Sequence, residues 1–289
     1  MTIAVAFAVV AAFFNAVNIM AQHAASLGAQ DRHTGWRIAA YLARDPLWLI
    51  GLVAAAVGLL FYSVALHYGP LSVVQPLLVT ELVSALVLRR VWIRQQVPPL
   101  AWGAAVAVSV ALAVFLVAAD PHGGAATATA RQWIVVIGVC AAIVVGLIGL
   151  ARGGSPTRKA AVLSVACAVT WALTAVFIKV TTDAFTSFGV VGMMLHWQVY
   201  ALIVCGAGGV VLQQSALHVG PLSVSQPIVV VVDPIVSIIL SVWLFNERLT
   251  GNPVQLALAI VAFAVVSAGV VVLSLTTPVH LEGARPVRL

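Results

Sequence analysis

Apolar residues run almost unbroken through nine segments, 2–25, 46–67, 70–91, 99–118, 131–151, 159–182, 191–217, 221–244 and 253–275. Each is close to the ~20 residues a helix needs to cross the hydrocarbon core of a bilayer. The runs are continuous and rich in Ala, Val and Leu, without the short alternating pattern of a transmembrane barrel strand. In lipid the backbone must satisfy its own hydrogen bonds, and a single apolar run does so only as a helix. The pattern predicts an all-α polytopic membrane protein of about nine transmembrane helices.

The connections are polar and mostly short. The stretch SLGAQDRHTGWRIAAYLARDP (26–46) is the longest early one. Its WRIAAYLAR portion suits a short surface helix, with Arg37 and Arg44 toward headgroups and Ile38 and Leu42 toward lipid. A tenth span, were there one, would fall in 26–45. DPHGGAATATAR (120–131) reads as a linker, and TTPVHLEGARPVRL (276–289) as a polar, basic tail.

Composition agrees with the pattern. Apolar residues make up 63% of the 289 residues and charged residues 8%, and the mean hydropathy is +1.13. A soluble domain carries about 25% charged residues, so a soluble enzyme, a disordered chain and a nucleic-acid binder are excluded. The net charge of +6 follows from loop placement. With nine spans, eleven of the fourteen Lys and Arg fall on the side of the connections after spans 1, 3, 5, 7 and 9. The positive-inside rule makes that side cytoplasmic. The expected location is a bacterial plasma membrane, N-terminus outside and C-terminus inside.

The strongest signal is internal. ALHYGPLSVVQP (65–76) recurs as ALHVGPLSVSQP (216–227), with ten of twelve positions matching at an offset of 151. Both copies sit where one helix ends and the next begins. Gly69-Pro70 and Gly220-Pro221 are expected to form tight turns, with glycine supplying unusual dihedrals and proline opening the next helix at its first position. Pro76 and Pro227 then fall inside that helix, where each removes a backbone hydrogen bond and can bend it. By the span count the two junctions lie on opposite sides of the membrane. The expected organisation is two inverted four-helix repeats joined by a linker helix. The first repeat covers 1–118, a linker with one transmembrane helix 119–157, the second repeat 158–275 and a cytoplasmic tail 276–289. Many secondary transporters share this layout, with the binding site where the halves meet.

Trp171-Ala-Leu-Thr-Ala-Val-Phe-Ile-Lys179, the ALHVGPLSVSQP junction, and LFNERLT followed by an Ala/Gly-rich last helix (244–275) resemble the drug/metabolite transporter superfamily with EamA-type domains. In its first half, YLARDPLWLIGLVAAAVGLLFYSVALHYGPLSVVQP is similar to the NIPA-type magnesium transporter branch. That branch carries a glutamate on the second span where this chain has Gly58-Leu-Leu-Phe61. The resemblance implies transport across a membrane. It leaves the cargo open among amino acids, drugs, nucleotide sugars, lipids and cations.

Polar side chains inside spans are costly and face a cavity or a neighbouring helix. Glu81 and Asp233 are the carboxylates well inside spans, at near-equivalent repeat positions. They are the candidates for coupling to a proton or cation, against a structural role as hydrogen-bonded carboxylates. Asp233-Pro234 also points to a broken helix. Asn15, Asn18 and Gln22 form a stripe on helix 1, read either as cavity lining or as interhelical hydrogen bonding. Gln75, Trp171, Thr174, His196, Tyr200 and Gln226 complete the candidate substrate-binding set. Thr174 can instead bond to its own backbone. Lys179 is expected to snorkel to the interface or to pair with a carboxylate, and His67 and His218 to cap helix-end carbonyls in preference to binding a metal. Cys140, Cys167 and Cys205 lie in apolar runs without CxxC spacing and read as core residues. No HExxH, Walker loop or dinucleotide motif is present, so no catalytic residue, metal site or cofactor is expected.

The expected function is secondary transport of a small metabolite, drug or cation by alternating access, coupled to a gradient. The alternatives are a lipid flippase or scramblase and a membrane-embedded transferase. Expected partners are the small-molecule or ion substrate, membrane lipid and, as an open option, a second copy in a homodimer.

Overall fold

A computed structural model of the chain describes residues 2–30, 44–92, 96–120, 128–219 and 222–276. The expected WRIAAYLAR helix, most of the 120–131 linker, the Gly220-Pro221 junction and the tail from 277 lie outside these residues. Ten helical segments follow in order: α1 (Thr2–Gln30), α2 (Pro46–Tyr68), α3 (Leu71–Leu78), α4 (Thr80–Val91), α5 (Pro99–Ala119), α6 (Ala130–Leu150), α7 (Pro156–Leu195), α8 (Trp197–Val219), α9 (Leu222–Phe245) and α10 (Pro253–Thr276). Segments α3 and α4 form one span between them. Among the described residues, nine helices are therefore long and apolar enough to cross a membrane.

Helix starts follow local chemistry. Asp45 Oδ1 accepts from the Leu47 and Trp48 amides at 2.8 and 3.2 Å, with Pro46 in the first helical turn. Thr129 and Gln132 form a capping box at the head of α6, and Ser155 caps α7 just before Pro156. Each satisfies amides that the helix itself leaves open.

Inside the bundle, small residues face one another and large ones face outward. Ala4, Ala8, Ala11, Ala12 and Ala16 are buried on α1, and Gly51, Ala54 and Gly58 on α2, with Gly58 against the Ala11 backbone and Gly51 against Gln22 and Asn18. Leu49, Ile50, Leu52, Val53, Leu59 and Leu60 of α2 are exposed to the lipid side. Lipid tails are as apolar as leucine, so close backbone approach, not large apolar contact, holds such helices together. α5 and α10 repeat the theme. A Cβ on Gly269 would collide with the Val108 side chain.

The first and last four spans have the same neighbours. α1 packs on α2 and on α3–α4, α7 packs on α8 and on α9, and α5 packs on α10. One end of the bundle carries the 69–70 junction, the C-terminal end of α9 and the start of α6. The Thr250 amide donates to the Ala119 carbonyl there at 2.8 Å, and Gln132 Nε2 to the Trp243 carbonyl at 3.0 Å. We call this the junction end. α8 starts near it, since Trp197 lies edge-on to Trp133 and Phe177 at 5.3 and 5.9 Å. The 23 residues of α8 then carry the chain to the opposite end.

Several expectations change. Residues 191–195, expected to open the seventh span, belong to α7. Gly189 turns the chain at φ 68°, and His196 closes the turn through its amide to the Met193 carbonyl, so α8 starts at Trp197. The bend expected at Pro76 appears as a break at Val79, one residue past the end of α3. α9 runs unbroken through Pro227 and Pro234, against the expected break at Asp233-Pro234. A proline withdraws one rung of the ladder, and neighbouring helices hold the rest in line. Gly69 is not in an unusual conformation (φ −143°, ψ 161°), and Pro70 is the cap of α3, not its first helical residue. What Gly69 supplies is room: a Cβ there would sit 2.5 Å from Ala4 Cβ.

Candidate functional site

The break at Val79 places Glu81 in the first turn of α4, halfway through its span. Asp233 lies halfway along α9. Both carboxylates are half-buried and point into the bundle. Asn15 of α1 donates to Glu81 Oε2 at 2.6 Å. Ser237 donates to Asp233 Oδ1 at 3.2 Å from one turn along α9. Asp233 lies within electrostatic reach of Glu81, of Tyr62 on α2 and of Cys167 on α7. Tyr62 in turn accepts from Gln75 Nε2 at 2.6 Å. A polar band, Gln75–Tyr62–Asp233–Ser237 beside Glu81–Asn15, thus crosses the middle of an otherwise apolar core. Phe7, Phe14 and Phe61 stack beside it at 5.5 and 5.8 Å.

The structure brings only part of the expected set together. Asn15, Glu81, Gln75 and Asp233 belong to the band. The Trp171 ring lies against Gly209 of α8, where a Cβ would stand 3.1 Å away. Asn18, one turn from Asn15, buries a side-chain oxygen with no protein partner. Gln22 packs against Gly51, two turns from Asn15, and is outside the band. Thr174 is buried and donates to the Thr170 carbonyl of its own helix at 2.8 Å. His196 and Tyr200 lie outside the site altogether. His196 Nδ1 is 2.7 Å from the Gly192 carbonyl, with its ring stacked on Phe188, and Tyr200 donates to the Met194 carbonyl at 3.0 Å. Both hold the turn between α7 and α8.

Gln226 lies in a separate small crevice with Ser164, Gln213, Ser225 and Val229. Its distance from Gln75 has a simple cause. Each glutamine is the fifth residue of its helix, but α3 starts at the junction end and α9 at the opposite end. Repeat partners therefore sit at different depths.

Two further residues behave differently from their sequence reading, and a third was passed over. Lys179 does not snorkel. It is buried, and its Nζ donates to the Leu66 and Gly69 carbonyls at 2.7 and 3.1 Å. His67 caps no carbonyl; its Nδ1 meets Asp183 Oδ1 at 2.8 Å. Glu247, in the connection between α9 and α10, is 1% exposed. Its Oε1 accepts from the Leu71 amide at 2.9 Å, and its Oε2 from the Ser72 amide and hydroxyl at 3.1 and 2.7 Å. A carboxylate in a polar connection reads as solvated. The signal that could have exposed it is the preceding Asn246, whose φ of 52° folds the chain back over the helix end.

The bundle and its apolar spans define an integral, polytopic, all-α membrane protein. The chain is 30% identical over 205 residues to an uncharacterized protein of Corynebacterium glutamicum, an alignment covering 70% of each chain. It belongs to the family of that protein. No family model and no solved structure matches it.

Proposed function

We propose that the protein is a secondary transporter of the drug/metabolite type, moving a small metabolite, drug or cation between two inverted halves. The observation that carries this reading is the pair of mid-span carboxylates. Glu81 comes from the first four spans and Asp233 from the last four, and each is half-buried at mid-span. Among the described residues each accepts from one donor, where a carboxylate accepts several. An intramembrane carboxylate with spare acceptor capacity can bind and release a proton or cation as the site changes access. In this reading Asn15 orients Glu81, Ser237 orients Asp233, and Tyr62 with Gln75 extends the path toward the junction end. The reading includes no covalent chemistry. The junction end faces outward from a plasma membrane, because the Arg-rich connections lie at the other end.

The test is proton movement in proteoliposomes with an internal pH dye. Vesicles are screened against amino acids, amines, lipophilic drugs and divalent cations. A ligand should dissipate an imposed pH gradient with the wild-type protein, and Glu81→Gln with Asp233→Asn should abolish the effect while leaving the protein folded. Substrate-driven proton flux that survives the double substitution would overturn the assignment.

A further inference from the structure

The α2–α3 junction belongs to the first four spans, yet its two helix ends are held by side chains of the last four. A helix leaves its final carbonyls and first amides without partners, with partial negative and positive charge respectively. At the end of α2, Lys179 of α7 puts its ammonium on the Leu66 and Gly69 carbonyls. At the start of α3, Glu247 puts its carboxylate on the Leu71 and Ser72 amides and the Ser72 hydroxyl. Each charge meets the helix end of opposite sign. Both side chains are buried, at 6% and 1% exposure, so neither contact is diluted by solvent. The grip lies directly above the polar band: Gln75 is one turn below Leu71 on α3 and 2% exposed.

The connection after α4 that corresponds to the Glu247 connection, WIRQQVP (92–98), has no carboxylate.

We propose that Lys179 and Glu247 form a releasable latch that closes the junction end over the polar band. The proposal rests on the transporter reading, and it gives that reading a gate at one named end. Opening requires Glu247 to leave three donors and Lys179 two acceptors, so the latch biases the resting protein toward the state closed at the junction end. His67 and Asp183 meet across the same gap at the surface and part in the same movement.

The experiment reads access, not transport. Gln75→Cys is introduced with Cys140, Cys167 and Cys205 replaced by alanine, the protein is placed in nanodiscs, and labelling by a charged maleimide is timed. With Glu247 intact the reporter should react slowly. Glu247→Gln should speed labelling about tenfold or more, since one charge-assisted hydrogen bond shifts an equilibrium by at least that factor. Glu247→Asp keeps the charge but shortens the reach, and should fall between the two. Equal labelling rates in all three, with monodisperse protein, would make the contact a fixed structural brace and overturn the latch. If Glu247→Gln does not fold, the Glu247→Asp comparison alone decides, by a faster or an unchanged rate. A failed proton-flux assay with a positive labelling result would remove the coupling role and leave the gate standing.

Discussion

Gly69 separates two physical explanations that sequence alone cannot tell apart. A glycine beside a proline suggests a backbone conformation closed to other residues, but here φ is −143° and ψ 161°, which any residue adopts. The constraint is the wall opposite. A Cβ at 69 would lie 2.5 Å from Ala4 Cβ, 3.3 Å from the Ala65 carbonyl oxygen and 3.6 Å from a Val74 methyl. Carbon atoms pack at about 3.5–4.0 Å, so Gly69→Ala must push α1 away from the junction by roughly 1 Å. Overpacking of this kind costs about 1–3 kcal/mol. Ala4→Gly alone should cost about 1 kcal/mol through helix propensity. In the Ala4→Gly background the main collision disappears, and Gly69→Ala should then cost less than about 1 kcal/mol, a coupling typical of residues in contact. Thermal unfolding of the four proteins in one detergent, followed by tryptophan fluorescence, measures the cycle as relative midpoints. A Gly69→Ala penalty that is unchanged in the Ala4→Gly background would refute the steric account and return the explanation to backbone conformation.

Thr174→Val should change stability by less than about 1 kcal/mol and leave ligand binding intact, because the hydroxyl serves only its own helix; ligand-induced shifts in thermal midpoint check both points. Gly209→Val should be far more damaging, since even a Cβ stands 3.1–3.4 Å from the Trp171 ring. The expected loss is about 1–3 kcal/mol, and a change in tryptophan emission relative to wild type reports the displaced ring.

The bilayer set much of what the sequence revealed. A run of apolar residues near the core thickness has one available secondary structure, so nine spans could be read among the described residues, most of them to within a few residues of their ends. The α7–α8 boundary was missed because VVGMML is as apolar as a span. The dihedral of Gly189, which composition does not encode, kinks α7 and sets this segment apart from the first part of α7 and from α8. The carboxylates Glu81 and Asp233 stood out because charge inside a span has few innocent explanations. His196 and Tyr200 looked similar by spacing, yet they close a turn, because a residue near a helix start can be satisfied by the loop beside it. Lys179 and Glu247 were hidden for a complementary reason. Glu247 stands just past a helix end and Lys179 near the end of the predicted 159–182 span, where charge is normally solvated, and their burial depends on α2 and α3, which are more than a hundred residues away.

Hydrogen-bond supply separates the buried carboxylates more sharply than burial does. Glu247 and Glu81 are both surrounded by helices, but Glu247 receives three donors, two of them backbone amides fixed at a helix start. Such donors cannot rotate away, and their helix end carries partial positive charge, so the side chain is held in place. Among the described residues Glu81 receives one donor, the side-chain amide of Asn15, and Asp233 receives one, the hydroxyl of Ser237. Both of these donors can rotate. A group that must bind and release a cation on each cycle needs unfilled acceptor positions and partners that can turn, and a group that must hold two helix ends needs the reverse. Substituting Asn15 by leucine therefore bears on coupling more than on the fold. It removes the hydrogen-bond partner of Glu81 while leaving every contact of Glu247 intact, so proton flux should fall while Gln75→Cys stays protected from labelling. Loss of that protection in Asn15→Leu would show that the band and the latch are one structural unit, and the division of roles between the carboxylates would fail.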